Sequence, residues 1–293
     1  MFELRAFDRA DEPAVLRSLE ARDRADFGDP VIRREVPLGE WRDREFDPAN
    51  AVVAVLGGEV VGYAVLDAHG GFSFLDPAHE DPGIEAELVA WVERRAREMG
   101  RRTCQQLIAG GDAGAQATLT DAGYERARSL LLMDIELARA PAPPAPPDGI
   151  TLAPLEIERD GEAVYAADAE AFAADPAFIP TPWPSFHDRE FADPELVPAL
   201  SRVARRGAAI AGYATCRRQT NQRGYVEILG VVEAERRRGL GRTLLLAVFD
   251  AFAAAGLTRG RLMVASDNPR ARALYESVGM APVHELVVLE RTL

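Results

Sequence analysis

"YVEILGVVEAERRRGLGRTLLLAVFDAFAAAG", residues 225–256, decides how this chain folds. Its first eight residues are apolar and β-branched, as in a strand buried on both faces. Its final stretch, 243–256, has apolar residues at helical spacing and stops at Gly256. The middle, "ERRRGLGR" (235–242), is therefore a strand-to-helix turn with four arginines and two glycines in eight positions. Gly239 and Gly241 free the backbone to turn tightly and to approach a ligand. The first N–H groups of a helix lack intrahelical partners and lie at the positive end of its dipole, which favours an anion. Arg236, Arg237, Arg238 and Arg242 add charge-assisted donors around Leu240. The turn reads as a phosphate site; a solvated basic turn, with glycine for geometry alone, is the alternative. It matches neither the Gly-Lys-Ser/Thr loop nor Gly-x-Gly-x-x-Gly.

The rest of the chain is acidic. Its 293 residues carry a formal net charge of −13, with 47% hydrophobic and 28% charged residues, the composition of a globular protein with room for two domains. There is no lysine, which excludes a lysine nucleophile or a Schiff base. Residues 1–137 hold 16 arginines against 27 acidic residues, and residues 138–293 hold 18 against 20. Neither half has the broad basic face that nucleic acid requires. Cys104 and Cys216 fit no metal or redox spacing and read as reduced core thiols, so no metal is expected. The N-terminus lacks an apolar signal region, and no apolar run is long enough to cross a bilayer. The expectation is a cytoplasmic protein with no membrane partner.

A proline-alanine stretch, "ARAPAPPAPPDG" (138–149), reads as a semi-rigid connector between 1–137 and 150–293. The halves resemble each other. Short strands open them at 2–7 and 150–155, each followed by an acidic helix. Hairpins follow around Gly57-Gly58 and near Gly207, each with Gly-Tyr-Ala, at 62–64 and 212–214. Setting Gly239 on Gly83 gives an offset of 156, which also sets Gly279 on Gly123. A repeat of this length implies duplicated domains rather than a solenoid. The order in each half predicts a mixed α/β or α+β sheet flanked by helices.

Two motifs carry a family resemblance. Arg236-Arg-Arg-Gly239-Leu-Gly241 after a central strand resembles the Arg/Gln-x-x-Gly-x-Gly/Ala signature of the GNAT acetyltransferases. "SDNPRARALYESVGM" (266–280) resembles their later motif through Asn268, Ala271, Leu274, Tyr275 and Gly279. The resemblance covers nearly all of 150–293 and, more weakly, 1–137. It implies two tandem domains, each with a splayed central sheet, and acetyl-CoA as acyl donor in a V-shaped gap. The turn, residues 236–242, would grip the pyrophosphate, with Asn268 also on the cofactor side. The strand edge at Leu229 to Val231 would pair with the pantetheine amides. The implied activity is N-acetylation of a primary amine on a small molecule, by direct attack in the second domain, in a monomer or a homodimer.

Direct attack needs a neutral amine, a stabilised carbonyl oxygen and a proton for the departing thiolate. A backbone N–H within 229–231 would serve the oxygen. Tyr275 matches the family's tyrosine, and a phenol with a pKa of about 10 suits a thiolate as general acid. Glu227, a carboxylate in an apolar strand, is the candidate base; a structural or edge-facing glutamate is the alternative. His187 and His284 are possible proton relays. The proline- and aromatic-rich segment 175–191, with Trp183, Phe186, Asp175 and Asp188, reads as an acceptor wall or as a stiff packed loop.

The offset makes the first half a degenerate copy. It places Glu80, Asp81, Pro82 and Glu85 where the second half has Arg236, Arg237, Arg238 and Gly241; Leu119 replaces Tyr275 and Asp112 replaces Asn268. Carboxylates repel a pyrophosphate and proline removes a donor, so residues 1–137 are expected to be inactive. Other readings are a CoA-binding protein without catalysis, acetylation of an amino-sugar conjugate, and aminoacyl transfer, which would need a basic groove.

Overall fold

The computed structural model describes residues 1–30, 32–67, 70–175 and 178–293. They pack into two compact units, each with its own core.

Unit 1 contains β1 (Phe2–Ala6), α1 (Glu12–Phe27), α2 (Glu35–Arg42), β2 (Ala51–Leu56), β3 (Glu59–Leu66), β4 (Gly71–Leu75), α3 (Pro82–Glu98), β5 (Thr103–Ala109), α4 (Ala113–Asp121) and the start of β6 (Glu125–Glu136). β1 to β4 are antiparallel neighbours, and β4 meets β5 in parallel. α3 turns Ile84, Leu88, Val89, Val92 and Ala96 onto one face of this sheet, the helical spacing of an amphipathic segment. Phe7, Val15, Leu19, Trp41 and Tyr63 form a second core.

Unit 2 contains β7 (Ile150–Pro154), α5 (Ile157–Phe172), α6 (Trp183–Phe186), β8 (Arg202–Arg206), β9 (Ala209–Gln219), β10 (Arg223–Val231), α7 (Leu240–Ala254), β11 (Arg259–Ala265), α8 (Pro269–Ser277) and the start of β12 (Ala281–Thr292). β7 to β10 are antiparallel neighbours, and β10 meets β11 in parallel. α7 buries Leu244, Leu245, Phe249 and Phe252 almost completely. Each such side chain contributes about 1.5–3 kcal/mol relative to an exposed one.

The repeat is present residue for residue in its later elements. An offset of 156 carries β5 onto β11, α4 onto α8 and β6 onto β12, at both ends of each. The grouping of segments differs from the expected 1–137 and 150–293. Residues 131–137 belong to unit 2, where Met133, Ile135 and Leu137 enter its core. Residues 284–293 belong to unit 1, where β12 pairs antiparallel with β5 and buries Val287 and Leu289. Arg42–Arg44 also belong to unit 2. In the expected linker, residues 141–147 carry no regular secondary structure.

Candidate active site

In unit 2, β10 and β11 pair only at Arg223↔Arg259, Gly224↔Gly260 and Tyr225↔Arg261. Beyond Tyr225 no further pairing joins them, so from Val226 onward β10 keeps its ladder with β9 and offers its other edge to a gap. The β9 register shifts between Val226 and Ile228, a bulge centred on Glu227. The extra residue reverses the facing of the strand. Val226 and Leu229 pack in the core under α7, whereas Ile228 packs in the core beside α5.

The quoted turn closes the end of this gap. Gly239 is the α7 N-cap with φ of +83°, and no side chain caps the helix. Arg237 also lies in the left-handed region, at φ +62°. A non-glycine residue there costs energy and is a mark of functional turns. The backbone thus presents first-turn N–H groups, from Leu240 to Arg242, with no side-chain cap bonded to them.

The four arginines separate by role. Arg236 donates to the Val231 carbonyl at 3.0 Å and to the Ala171 carbonyl, so its side chain ties the turn to the ends of β10 and α5. Two backbone carbonyls thus hold this guanidinium within the protein. Arg238 pairs with Glu235 at 3.2 Å, and Glu235 is also held by Arg206 at 2.9 Å. Arg237 and Arg242 make no hydrogen bond or ion pair among the described residues. They are the cations left for a ligand.

Tyr275 lies on α8, packed in the core under α7 and only 8% exposed. Burial pushes its phenol up to about 12. No partner for its hydroxyl occurs among the described residues. Asn268 is the α8 N-cap, its side-chain oxygen accepting from the Ala271 N–H at 3.0 Å. That oxygen therefore serves the helix start.

Glu227 is not isolated in an apolar strand. Its carboxylate takes a hydrogen bond from Arg217 at 2.8 Å and keeps 25% of its side-chain surface exposed. Arg217 is almost fully buried and also pairs with Asp193. Glu190 lies 4.0 Å from Arg217, and burial pushes its carboxyl above the usual range despite that neighbour. Beside them, Tyr213 donates to Asp168; burial raises both groups. The Tyr213 ring lies against Gly230, where an added Cβ would stand 2.6 Å from it. Sequence reading missed Arg217, Asp193 and Asp168, because their meeting depends on pairing between distant segments.

The relays and the acceptor wall are placed differently from expectation. His284 belongs to unit 1, its ring 5.2 Å from Phe27. His187 lies 5.4 Å from Trp183 and 3.8 Å from Asp188. Phe186 and Trp183 pack with Tyr165 and Phe191 in the core beside α5, which favours the packed-loop reading of this segment. Pro176 and Ala177 of segment 175–191 lie outside the described residues. Arg44 grips Asp188 with bonds of 2.6 and 2.8 Å and holds its carboxyl down at about 2.

Unit 1 has diverged at the matching positions. Asp81 caps α3 by accepting from the Gly83 N–H at 2.8 Å, and Pro82 begins the helix. The first-turn amides that α7 leaves uncovered are here met by a carboxylate. Glu80 lies 3.5 Å from Arg22, and Glu85 accepts from Thr118 at 3.0 Å. Ser73 donates to Gln106 at 3.1 Å between β4 and β5, where unit 2 has Leu229 and Leu262. Gly71 stands at the position of Glu227, and Leu119 at that of Tyr275. Both cysteines are buried and free, and among the described residues no group of three or more His, Cys, Asp or Glu could hold a metal ion. No helix there is long and apolar enough to cross a membrane.

A splayed parallel strand pair ending in an uncapped, glycine-containing helix start defines an acyl-CoA-dependent transferase class. The model of the acetyltransferase (GNAT) family matches residues 162–280. A mycothiol acetyltransferase from Clavibacter michiganensis is 32% identical over 280 residues, covering 90% of this chain and 87% of that one. Another, from Streptomyces avermitilis, is 30% identical over 99% of this chain and 94% of its own. The chain belongs to the GNAT family and is an N-acetyltransferase. Among solved structures, a GCN5-related N-acetyltransferase from Sphaerobacter thermophilus superposes with a TM-score of 0.73 at 28% identity, covering 99% of this chain and 95% of that one. A tandem GNAT protein from the clavulanic acid biosynthesis pathway reaches 0.74 at 19% identity over 100% and 98%, and shares the fold.

Proposed function

We propose that unit 2 is the acetyl-transfer site, that its donor is acetyl-CoA, and that its acceptor is the primary amine of a small molecule, an amino-sugar conjugate of the mycothiol type. The uncapped α7 turn beside the opened edge of β10 carries this reading. The pyrophosphate would lie on the amides of Gly239 to Arg242, with Arg237 and Arg242 neutralising it. The pantetheine amides would add to the free edge at Leu229 to Val231, as an extended peptide adds to a sheet. The acceptor class is supported by relatives named mycothiol acetyltransferase that align over nearly the whole chain.

The amine attacks the thioester carbonyl, forming a C–N bond as the C–S bond breaks. Glu227, oriented by Arg217, takes the proton the nitrogen loses. A β10 amide in 229–231 stabilises the carbonyl oxygen as it becomes negative. Tyr275, neutral because burial holds its phenol near 12, gives its proton to the thiolate. In unit 1 the Asp81 cap and the Ser73–Gln106 bond oppose a second donor site. The test is acetyl-CoA incubated with a panel of amines that includes a cysteinyl-glucosamine conjugate, with acetylated product detected by mass spectrometry. Product from the conjugate is expected at rates above those for simple alkylamines and polyamines. Preference for a polyamine or a protein N-terminus would overturn the acceptor class.

A further inference from the structure

We propose that Asp193 is a positioning residue for acetyl transfer: it fixes the Arg217 guanidinium, and Arg217 in turn fixes Glu227 at the β10 bulge. The inference deepens the reading of unit 2 as the transfer site and rests on it.

The backbone sets Asp193 first. Glu195 donates to the Asp193 carboxylate at 2.8 Å, closing a turn. The segment after it docks on β9: Arg218 donates to the Glu195 carbonyl at 3.1 Å, Val197 donates to the Cys216 carbonyl at 2.9 Å, and Leu196 bridges Arg217. The side chain is then held between two arginines, Arg217 and Arg42, the latter at 3.3 Å. Its carboxylate has no exposed surface, and Arg217 keeps 4%. Arg217 uses a different nitrogen for each of three carboxylates: Nε for Asp193, one terminal nitrogen for Glu227 at 2.8 Å, and the other for Glu190 at 4.0 Å. A planar guanidinium ion-paired at Nε and at both terminal nitrogens has little freedom to turn. Glu227, at 25% exposure, is the member of the chain that reaches the solvent side of the cluster.

Stability is a weak reason for such a cluster. Desolvating buried charges offsets much of their attraction, and apolar residues often replace buried pairs at no loss. Orientation is the stronger reason, since misplacing a reacting group by about 1 Å can cost about 10²-fold in rate.

The test is Asp193→Asn in the full chain, alone and combined with Glu227→Gln. Asparagine keeps an oxygen for the Glu195 N–H but sets an amide nitrogen or an uncharged oxygen against Arg217. With the cysteinyl-glucosamine conjugate as acceptor, the single variant should lose about 10- to 100-fold in kcat with KM for acetyl-CoA within about twofold. In the Glu227→Gln background the same change should alter kcat by less than about twofold, because Asp193 acts through Glu227. Asp193→Glu, which keeps the charge, should recover part of the rate. Wild-type kcat in the single variant, or losses that multiply in the double variant, would overturn the proposal. A crystal structure of Asp193→Asn decides the matter even if no amine in the panel is acetylated. Arg217 still paired with Glu227 near 2.8 Å would refute positioning, whereas separation beyond 4 Å would support it. Failure of wild-type turnover with every amine tested would instead count against the function assigned to unit 2.

Discussion

Changing Arg237 and Arg242 together to alanine should weaken coenzyme A binding about 30- to 150-fold. Both guanidiniums lie at the α7 N-terminus without protein partners among the described residues, so their removal leaves no carboxylate unpaired. A hydrogen bond to a charged group contributes about 1.5–3 kcal/mol net, and Arg237 is exposed, which favours values near or below the lower end. Two such losses amount to about 2–3 kcal/mol, and each 1.4 kcal/mol is tenfold. Calorimetric titration with coenzyme A and with pantetheine, which lacks the phosphates, separates the terms. The variant should lose affinity for coenzyme A and keep its affinity for pantetheine, and the loss should shrink as salt rises. Arg238→Ala should cost less, because Arg238 already spends part of its charge on Glu235. Arg236→Ala should lower the thermal midpoint, since it frees the Val231 and Ala171 carbonyls. Equal losses for pantetheine and coenzyme A in the double variant would show that these arginines do not act on phosphate.

Tyr275→Phe should lower kcat about 10²-fold or more, with acetyl-CoA affinity and thermal midpoint nearly unchanged, because the hydroxyl has no partner among the described residues to lose; normal turnover on a verified acceptor removes Tyr275 from the acid role. With its phenol near 12, Tyr275 stays protonated through the assay range, so kcat/KM should rise as the amine deprotonates and not fall below about pH 10. An alkaline fall near pH 8–9 that Tyr275→Phe abolishes would contradict this. The Asp188 carboxyl sits near 2 when folded, through its hydrogen bonds from Arg44, and near 3.9 when unfolded. Its contribution to stability is therefore present above about pH 4 and lost as pH falls towards 2. Urea midpoints measured from pH 5 to 2 should decline less steeply in Arg44→Ala than in the wild type, and parallel curves would rule the pair out as a source of the slope.

Local patterns carried well into the structure, and pairings between distant segments did not. The hairpins turn at Gly57-Gly58 and Gly207, where positive φ suits glycine. The offset of 156 found from Gly83 and Gly239 holds through the last strand of each repeat. The exchange of 131–137 and 284–293 between units left no mark, because the two strands share a pattern and either would satisfy the same sheet edge. Glu227 stands out in the sequence as a charged residue in an apolar strand. Its partner could not be read, since a bulge of one residue decides which side chain faces Arg217. The Arg236 bonds could not be read for a related reason: three adjacent arginines look alike in sequence, and only the fold brings the Ala171 carbonyl beside one of them.

The divergence of unit 1 falls on each part of the site proposed for unit 2. Asp81 covers the helix amides that would hold phosphate, and Pro82 removes one donor from the same turn. The Ser73–Gln106 bond lies between β4 and β5, the strands that would have to part for pantetheine in the proposed arrangement. Gly71 and Leu119 stand at the positions of Glu227 and Tyr275, the base and acid proposed for unit 2. A chain preserving donor binding for regulation alone would keep the first two features open while losing the last two. Here all four have changed, so restoring glycine and arginine at 80–85 alone would still leave Ser73 and Gln106 joined between the strands. The sheet itself has been kept, with Val52, Ala54, Leu88 and Val92 still buried in its core. Packing constrains that face independently of chemistry, because each lost methylene in a filled core costs about a kilocalorie or more per mole. Selection on the scaffold and release of the site are therefore expected to leave the pattern seen here: an intact repeat of strands and helices whose polar positions no longer agree with any single ligand.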